Sequence, residues 1–199
     1  LLVLTGCGSK GAKGQDVKIG TAVLVSASSA DATAEEAGKF ETNIYYATVV
    51  LQDDKFTQVQ IDVAQNTQKF SADDKLEPYE FAGSKKIIGD NYGMVQYAGA
   101  VQEWYKQIES LEEWMIGKTL SEVLAMETTA RDEAHPAVPA DADLTSKVTI
   151  TVGDYLKVVE QATNNAVEVK NVAKVGNTSY TTAGDGKDGK LELTTTVGA

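Results

Sequence analysis

The chain is poor in the residues that most often carry chemistry. It has one cysteine, one histidine, one arginine and three prolines in 199 residues. A lone cysteine, Cys7, excludes an intrachain disulfide. A lone histidine, His135, excludes a metal centre built on several imidazoles and a His-rich pH switch. With Arg131 the only arginine, bidentate clamps on phosphate or carboxylate are nearly lacking, and an anion site must use lysine or backbone N–H groups. Positive charge is scarce altogether, 18 basic against 29 acidic residues, for a net charge of -11. That argues against nucleic acid as a partner and against docking on anionic lipid through charge. No internal apolar run approaches the roughly 20 residues of a membrane span. There is no Gly-rich phosphate loop and no nucleophile elbow. What is present is the make-up of a soluble globular protein, 42% apolar and 24% charged, long enough for one sizeable domain with an appendage.

The cysteine stands in a pattern. Leu4-Thr5-Gly6-Cys7 has the form of a bacterial lipobox, a large apolar residue three before the cysteine and a small one directly before it. Leu1–Leu4 then reads as the end of a signal-peptide core, Cys7 as the site of lipidation, and the Gly- and Lys-containing stretch to residue 17 as a tether. The expected location is the extracellular face of the cytoplasmic membrane, held there by acyl chains at Cys7. The other reading is an incidental free thiol.

Beyond residue 17 the pattern alternates between strand and helix. Lys18–Ala30 is rich in β-branched and small residues and reads as a strand. Phe40–Gln52 and Phe56–Gln65 flank the turn Asp53–Lys55 and predict a hairpin. Ser84–Met94 reads as a short helix broken by glycines. In Ala100–Met126, Val101, Trp104, Tyr105, Ile108, Leu111 and Met115 recur at helical spacing. Gly117 ends that helix, and Thr119 with Glu122 forms a capping box for the next. A further helix is expected from about Thr151 to Ala166. The division is 1–17 leader remnant and tether, 18–170 an α+β domain, and 171–199 a C-terminal strand segment. That last segment echoes the first strands: Lys174-Val175-Gly176 and Gly189-Lys190-Leu191-Glu192 repeat Lys18-Ile19-Gly20 and Gly38-Lys39-Phe40-Glu41. It reads either as the start of a second repeat or as strands added to the first sheet.

One stretch is the leading candidate for chemistry. Thr145, Ser146, Thr149 and Thr151 crowd the start of the last helix, where orphan N–H groups and the positive dipole end suit an anion. Plain capping by Thr149 or Thr151, helped by Asp154, is the competing reading. Trp104, Tyr105 and Trp114 read as core aromatics or as a stacking platform for a flat ligand, with Trp114 off the main stripe. Tyr92 and Tyr97 lie in a Gly-rich segment that could border a pocket. His135, before Pro136 and near Arg131, Asp132 and Glu133, reads as holding its loop or capping a pocket. Glu109, Glu112 and Glu113 read as a solvated helix face. Asp185–Gly189 reads as a tight turn, lacking the ligand spacing of a calcium loop.

The stretches KKIIGDNYGM, EWYKQIESLEEWMIGKT, RDEAHPAVP and ADLTSKVTITVGDY resemble cell-surface lipoproteins of clostridia and related Gram-positive bacteria. Those in turn resemble, more remotely, the FMN-binding domain of the sodium-pumping quinone reductase C subunit and the Rnf G subunit. That domain carries Ser-Gly-Ala-Thr-x-Thr at a helix start, and its first threonine takes FMN through a phosphoester. Here the motif falls on Ser146-Lys147-Val148-Thr149-Ile150-Thr151. Serine and both threonines match, while Lys147 and Val148 stand for the glycine and alanine. A long side chain at 147 crowds the close approach that glycine allows. The resemblance therefore implies non-covalent FMN, its phosphate paired with Lys147, rather than a bond at Thr149. The expected fold is α+β, an antiparallel sheet covered by helices in the manner of that domain. The expected function is a tethered module binding a small molecule, flavin being the implied one, as a redox accessory without group-transfer catalysis of its own. The alternative is a structural or interaction lipoprotein with a decayed cofactor site.

The anchor is open to test: in a bacterium making the protein behind a complete leader, labelled fatty acid should be incorporated, and Cys7→Ser should abolish incorporation.

Overall fold

The computed structural model describes residues 14–73, 75–185 and 191–199; the lipobox and most of the turn at 185–189 lie outside them. The protein is α+β. Three long strands, β1 (Gln15–Ala30), β2 (Gly38–Gln52) and β3 (Lys55–Phe70), form an antiparallel meander. The tight β2–β3 turn is made by Asp53 and Asp54, both at positive φ (51° and 58°), as a hairpin matching the strand twist requires. Five helices follow: α1 (Lys85–Ile88), α2 (Met94–Ala98), α3 (Trp104–Met115), α4 (Leu120–Leu124) and, after the small ribbon β4 (Thr128–Thr129) and β5 (Val138–Pro139), α5 (Gly153–Asn164). Strand β6 (Val167–Val172) returns to pair with β1, giving the sheet order β3-β2-β1-β6. It crosses the expected 170/171 division. A second two-stranded sheet comprises β7 (Thr178–Asp185) and β8 (Leu191–Gly198).

Pleating gives the meander two chemically different faces. Ala47, Val49 and Leu51 of β2 and Val59, Ile61 and Val63 of β3 point to one side, where α3 and α5 cover them. The stripe Trp104, Ile108, Leu111 and Met115 of α3 meets Tyr155, Val158, Val159 and Ala162 of α5 there. Each fully buried side chain of this size contributes roughly 1.5–3 kcal/mol. Helix α5 lies so close to β1 that a Cβ at Gly20 would stand 1.8 Å from the Ala162 carbonyl oxygen, so only glycine fits. Val101 does not join the stripe. It precedes the first helical turn and is exposed, since Glu103 is the N-cap of α3.

The outer edge of β3 is covered rather than left as an open ladder. The chain after β3 turns back along it: Glu77 N–H donates to the Lys69 carbonyl, Tyr79 Oη to Asn66, and Ser84 Oγ to Asp62. Farther along, Phe56 N–H donates to the Lys118 carbonyl and Gly117 N–H to the Phe56 carbonyl. The capping box of α4 forms as expected, with Thr119 N–H on Glu122 Oε2 at 2.8 Å.

Glu112 corrects the expectation of a solvated acidic face. It lies on the buried side of α3 beside Leu111, accepts the Ile61 N–H at 2.5 Å, and pairs with Lys86 Nζ at 2.6 Å. Burial pushes its carboxyl up to about 7, while Lys86 and the Ile61 N–H pull the other way.

With the folded pKa above the unfolded one, the native state binds the extra proton between about pH 4.5 and 7, so this group's contribution falls as pH rises through that window. Chemical denaturation of wild type and Glu112→Gln across pH 4–8 should therefore show the variant gaining on wild type, by about 3 kcal/mol, between the two limits and no further above them.

Candidate functional site

At the helix start, residues 145–152, five of the turn's amides already have protein acceptors. Thr145 N–H donates to the Asp141 carbonyl, Lys147 and Val148 N–H to that of Leu144, and Val152 N–H to that of Ala137. Thr149 N–H donates to Gln107 Oε1 at 2.8 Å, and its hydroxyl lies 3.4 Å from the same oxygen. Gln107 is fully buried on α3 and held from behind by its Nε2 donating to the Gln102 carbonyl at 2.8 Å. A side chain of the core thus occupies the position an anion would take beside Thr149. Neither Thr149 nor Thr151 caps the helix; the N-cap is Val152, with no side-chain bond. The Thr151 hydroxyl is buried without a partner. Thr145, Ser146 and Lys147 are exposed on the outer side of the turn.

His135 holds its loop. Its Nδ1 lies 2.6 Å from Asp132 Oδ1 and 2.6 Å from Arg131 Nη2, while Arg131 Nε donates to Asp132 Oδ2. These hydrogen bonds, that of His135 first, bring the Asp132 carboxyl down to about 2. Arg131 Nη1 then donates to the Thr149 carbonyl at 2.9 Å, tying the proline loop to the helix start from the side opposite Gln107. The one guanidinium of the chain is therefore engaged within the protein.

The aromatics divide. Trp104 is 2% exposed, its indole N–H donating to Tyr155 Oη at 2.9 Å and its ring edge-on to Tyr155 at 6.0 Å. It is core, with no face open for stacking. Trp114 is half-buried, its N–H on Asp141 and Lys118 Nζ 4.2 Å above its ring. Tyr105 packs at the margin, and Tyr97 is exposed. Lys85, not singled out from sequence, is 8% exposed, with Nζ 4.8 Å from the Tyr92 ring and 5.4 Å from that of Trp104. Burial holds its ammonium down to about 8.

A second, larger hollow than the one beside Leu51 and Leu120 lies on the other face of the meander. A cleft of about 730 Å³ runs between that face and β8. The sheet contributes Val25, Phe40 and Ile44, the chain after β3 closes one end with Phe70 and Leu76, and β8 brings Leu191 and Leu193. Four polar side chains interrupt these walls. Asn66 Nδ2 bridges Thr195 Oγ1 (3.2 Å) and Thr42 Oγ1 (3.4 Å). Gln68 Nε2 donates to the Lys69 and Glu77 carbonyls, and its Oε1 is buried with no partner. No lining residue carries a charge. Val25, Phe40 and Leu76 leave apolar surface exposed at the rim, Val25 at 59%. The size and apolar walls are those of a small-molecule site.

Of the residues singled out from sequence, Thr149, Arg131 and His135 come together, with Arg131 linking the other two and Gln107 holding Thr149. None of them lines the cleft. Gln107 was legible in principle, falling on the Trp104–Ile108–Leu111 stripe; the cleft was not, because β8 forms its far wall. No family model matches the chain, and no curated protein or solved structure matches it.

Gln107→Leu should leave the Thr149 N–H without an acceptor and cost about 1–3 kcal/mol in denaturant unfolding; a neutral effect would show that this amide is not closed off from water.

Proposed function

We propose that this chain is the body of a lipid-anchored, extracellular binding module that holds a small uncharged amphiphile in the cleft between the meander and β8. The observation that carries the reading is the cleft itself: about 730 Å³, walled by aliphatic and phenyl groups, with no charged lining. An ionised ligand would lose hydration there without gaining a counter-charge. An apolar body gains about 25 cal/mol for each Å² it buries. Thr42, Asn66, Gln68 and Thr195 give the polar end of such a ligand hydrogen-bonding side chains in the otherwise apolar wall. The lining contains no acid, base or thiol, so the site is one that holds rather than transforms. Tethering through Cys7 would set such a module beside the membrane, where sparingly soluble amphiphiles concentrate.

Flavin is the second reading, at the other end of the molecule. It is favoured by the Ser146–Thr151 motif, by the exposed Lys147 and by the partnerless Thr151 hydroxyl. An FMN phosphate at Thr149 would have to displace Gln107. Likeness of the α+β body to an FMN-binding domain belongs to this reading.

Titration with an uncharged fluorescent probe such as Nile red should show saturable binding, and Val25→Glu, at an exposed position, should weaken it at least about tenfold, or 1.4 kcal/mol, without changing the unfolding midpoint. Probe binding that ignores Val25→Glu would remove the cleft reading. Added FMN taken up as a yellow complex, and lost on Lys147→Glu, would establish the second reading instead.

A further inference from the structure

We infer that β7–β8 is a second copy of the β1–β2 hairpin, and that the free edge of β8 is a pairing surface for an antiparallel strand of the β3 kind. This goes beyond the cleft reading and does not depend on a ligand.

The first support is register. Aligning Lys18-Ile19-Gly20 with Lys174-Val175-Gly176, and Gly38-Lys39 with Gly189-Lys190, assigns a counterpart to each of the eight β1–β2 pairs from Ala22↔Ala47 to Ser29↔Phe40. Ala22↔Ala47 becomes Thr178↔Gly198, and Ser29↔Phe40 becomes Asp185↔Leu191. Those are the pairs the second hairpin makes, although its connecting stretch is shorter. A slip of one residue would have put every side chain on the wrong face.

The second support is which face is used. Val23 and Val25 belong to the face of the meander turned away from the helices, and their counterparts are Ser179 and Thr181. Both counterparts are buried toward the first sheet, with Ser179 Oγ donating to Tyr46 Oη at 3.0 Å. Across the cleft, Phe40, Thr42 and Ile44 of β2 face Leu191, Leu193 and Thr195 of β8, which are their counterparts one by one. The two hairpins therefore meet through the same face.

The third support is an edge. In the first copy β2 is flanked by β1 on one side and β3 on the other. Among the described strands β8 pairs with β7 alone, so its second row of N–H and C=O groups faces the place that β3 holds in the first copy. The strand that fits runs antiparallel, enters through a tight turn, and alternates apolar and polar residues as Phe56–Gln65 does.

Two experiments test this. With Cys7→Ser as background, the pair Thr182→Cys and Thr194→Cys should cross-link on oxidation, whereas Thr182→Cys with Leu193→Cys should not; the reverse pattern overturns the shared register. For the edge, the full chain is extended after Ala199, the counterpart of Thr48, by a copy of residues 49–70. Hydrogen exchange at the β8 amides not bonded to β7 should be open in the unextended chain and at least about tenfold slower in the extended one. An extension carrying Pro in place of its copies of Gln60, Asp62 and Ala64, which removes N–H groups that pair with the neighbouring strand, should give no protection. Slow exchange already in the unextended monomer, or no change on extension, overturns the assignment.

Discussion

A buried carboxylate on β3 joins the layers of this protein. Asp62 is 5% exposed and receives four donors: Tyr46 Oη, Ser84 Oγ, and the N–H groups of Val63 and Lys86. A carboxylate taken out of water is tolerated only when its lone pairs are met in this way. Because the donors come from β2, from β3 and from the start of α1, satisfying the carboxylate also fixes where the chain goes after the meander. Ser84 is held at the N-cap of α1, which sets Lys85 against Tyr92 and Trp104 and brings Lys86 to Glu112. Tyr46 carries the linkage to Ser179 and so to the hairpin that walls the cleft. The edge of β3 is closed by the same run of contacts.

The two faces of the meander follow different physics. On the helix side the packing around the predicted site is close: Gly20 meets the Ala162 carbonyl, Trp104 is enclosed, and Gln107 fills the place beside Thr149. Gln107 and Arg131 hold the helix start as a joint, with His135 helping to fasten the proline loop to it. On the other face the layers touch in part through serine, threonine and asparagine side chains. Hydrogen bonds such as Asn66–Thr195 hold the hairpin at a distance, and a cleft remains beside them.

Function divides along that line. A phosphate-bearing cofactor needs positive charge and free amides; this chain offers its single arginine to a carbonyl, and the N–H groups of Thr145, Lys147, Val148, Thr149 and Val152 to its own backbone and Gln107. An uncharged amphiphile needs only apolar area and one or two hydrogen bonds. The strongly acidic surface keeps the protein soluble and repels anionic lipid, so a tether rather than charge is what would hold it near a membrane.

Much of the architecture was legible in the residues. Period-two alternation over Phe40–Gln65 set the hairpin, the Trp104–Met115 stripe set α3, and Thr119 with Glu122 set the start of α4, because each rests on neighbours a few residues apart. The misreadings were of another kind. Glu112 looked solvated and is buried, because its partners Ile61 and Lys86 are 51 and 26 residues away. Thr149 looked like a cap and is instead bonded to Gln107, 42 residues away. By itself the sequence determined the local elements and the order in which they come. Only the tertiary structure decided which polar groups are already engaged and where a hollow is left, since both depend on which distant side chains arrive at the same point.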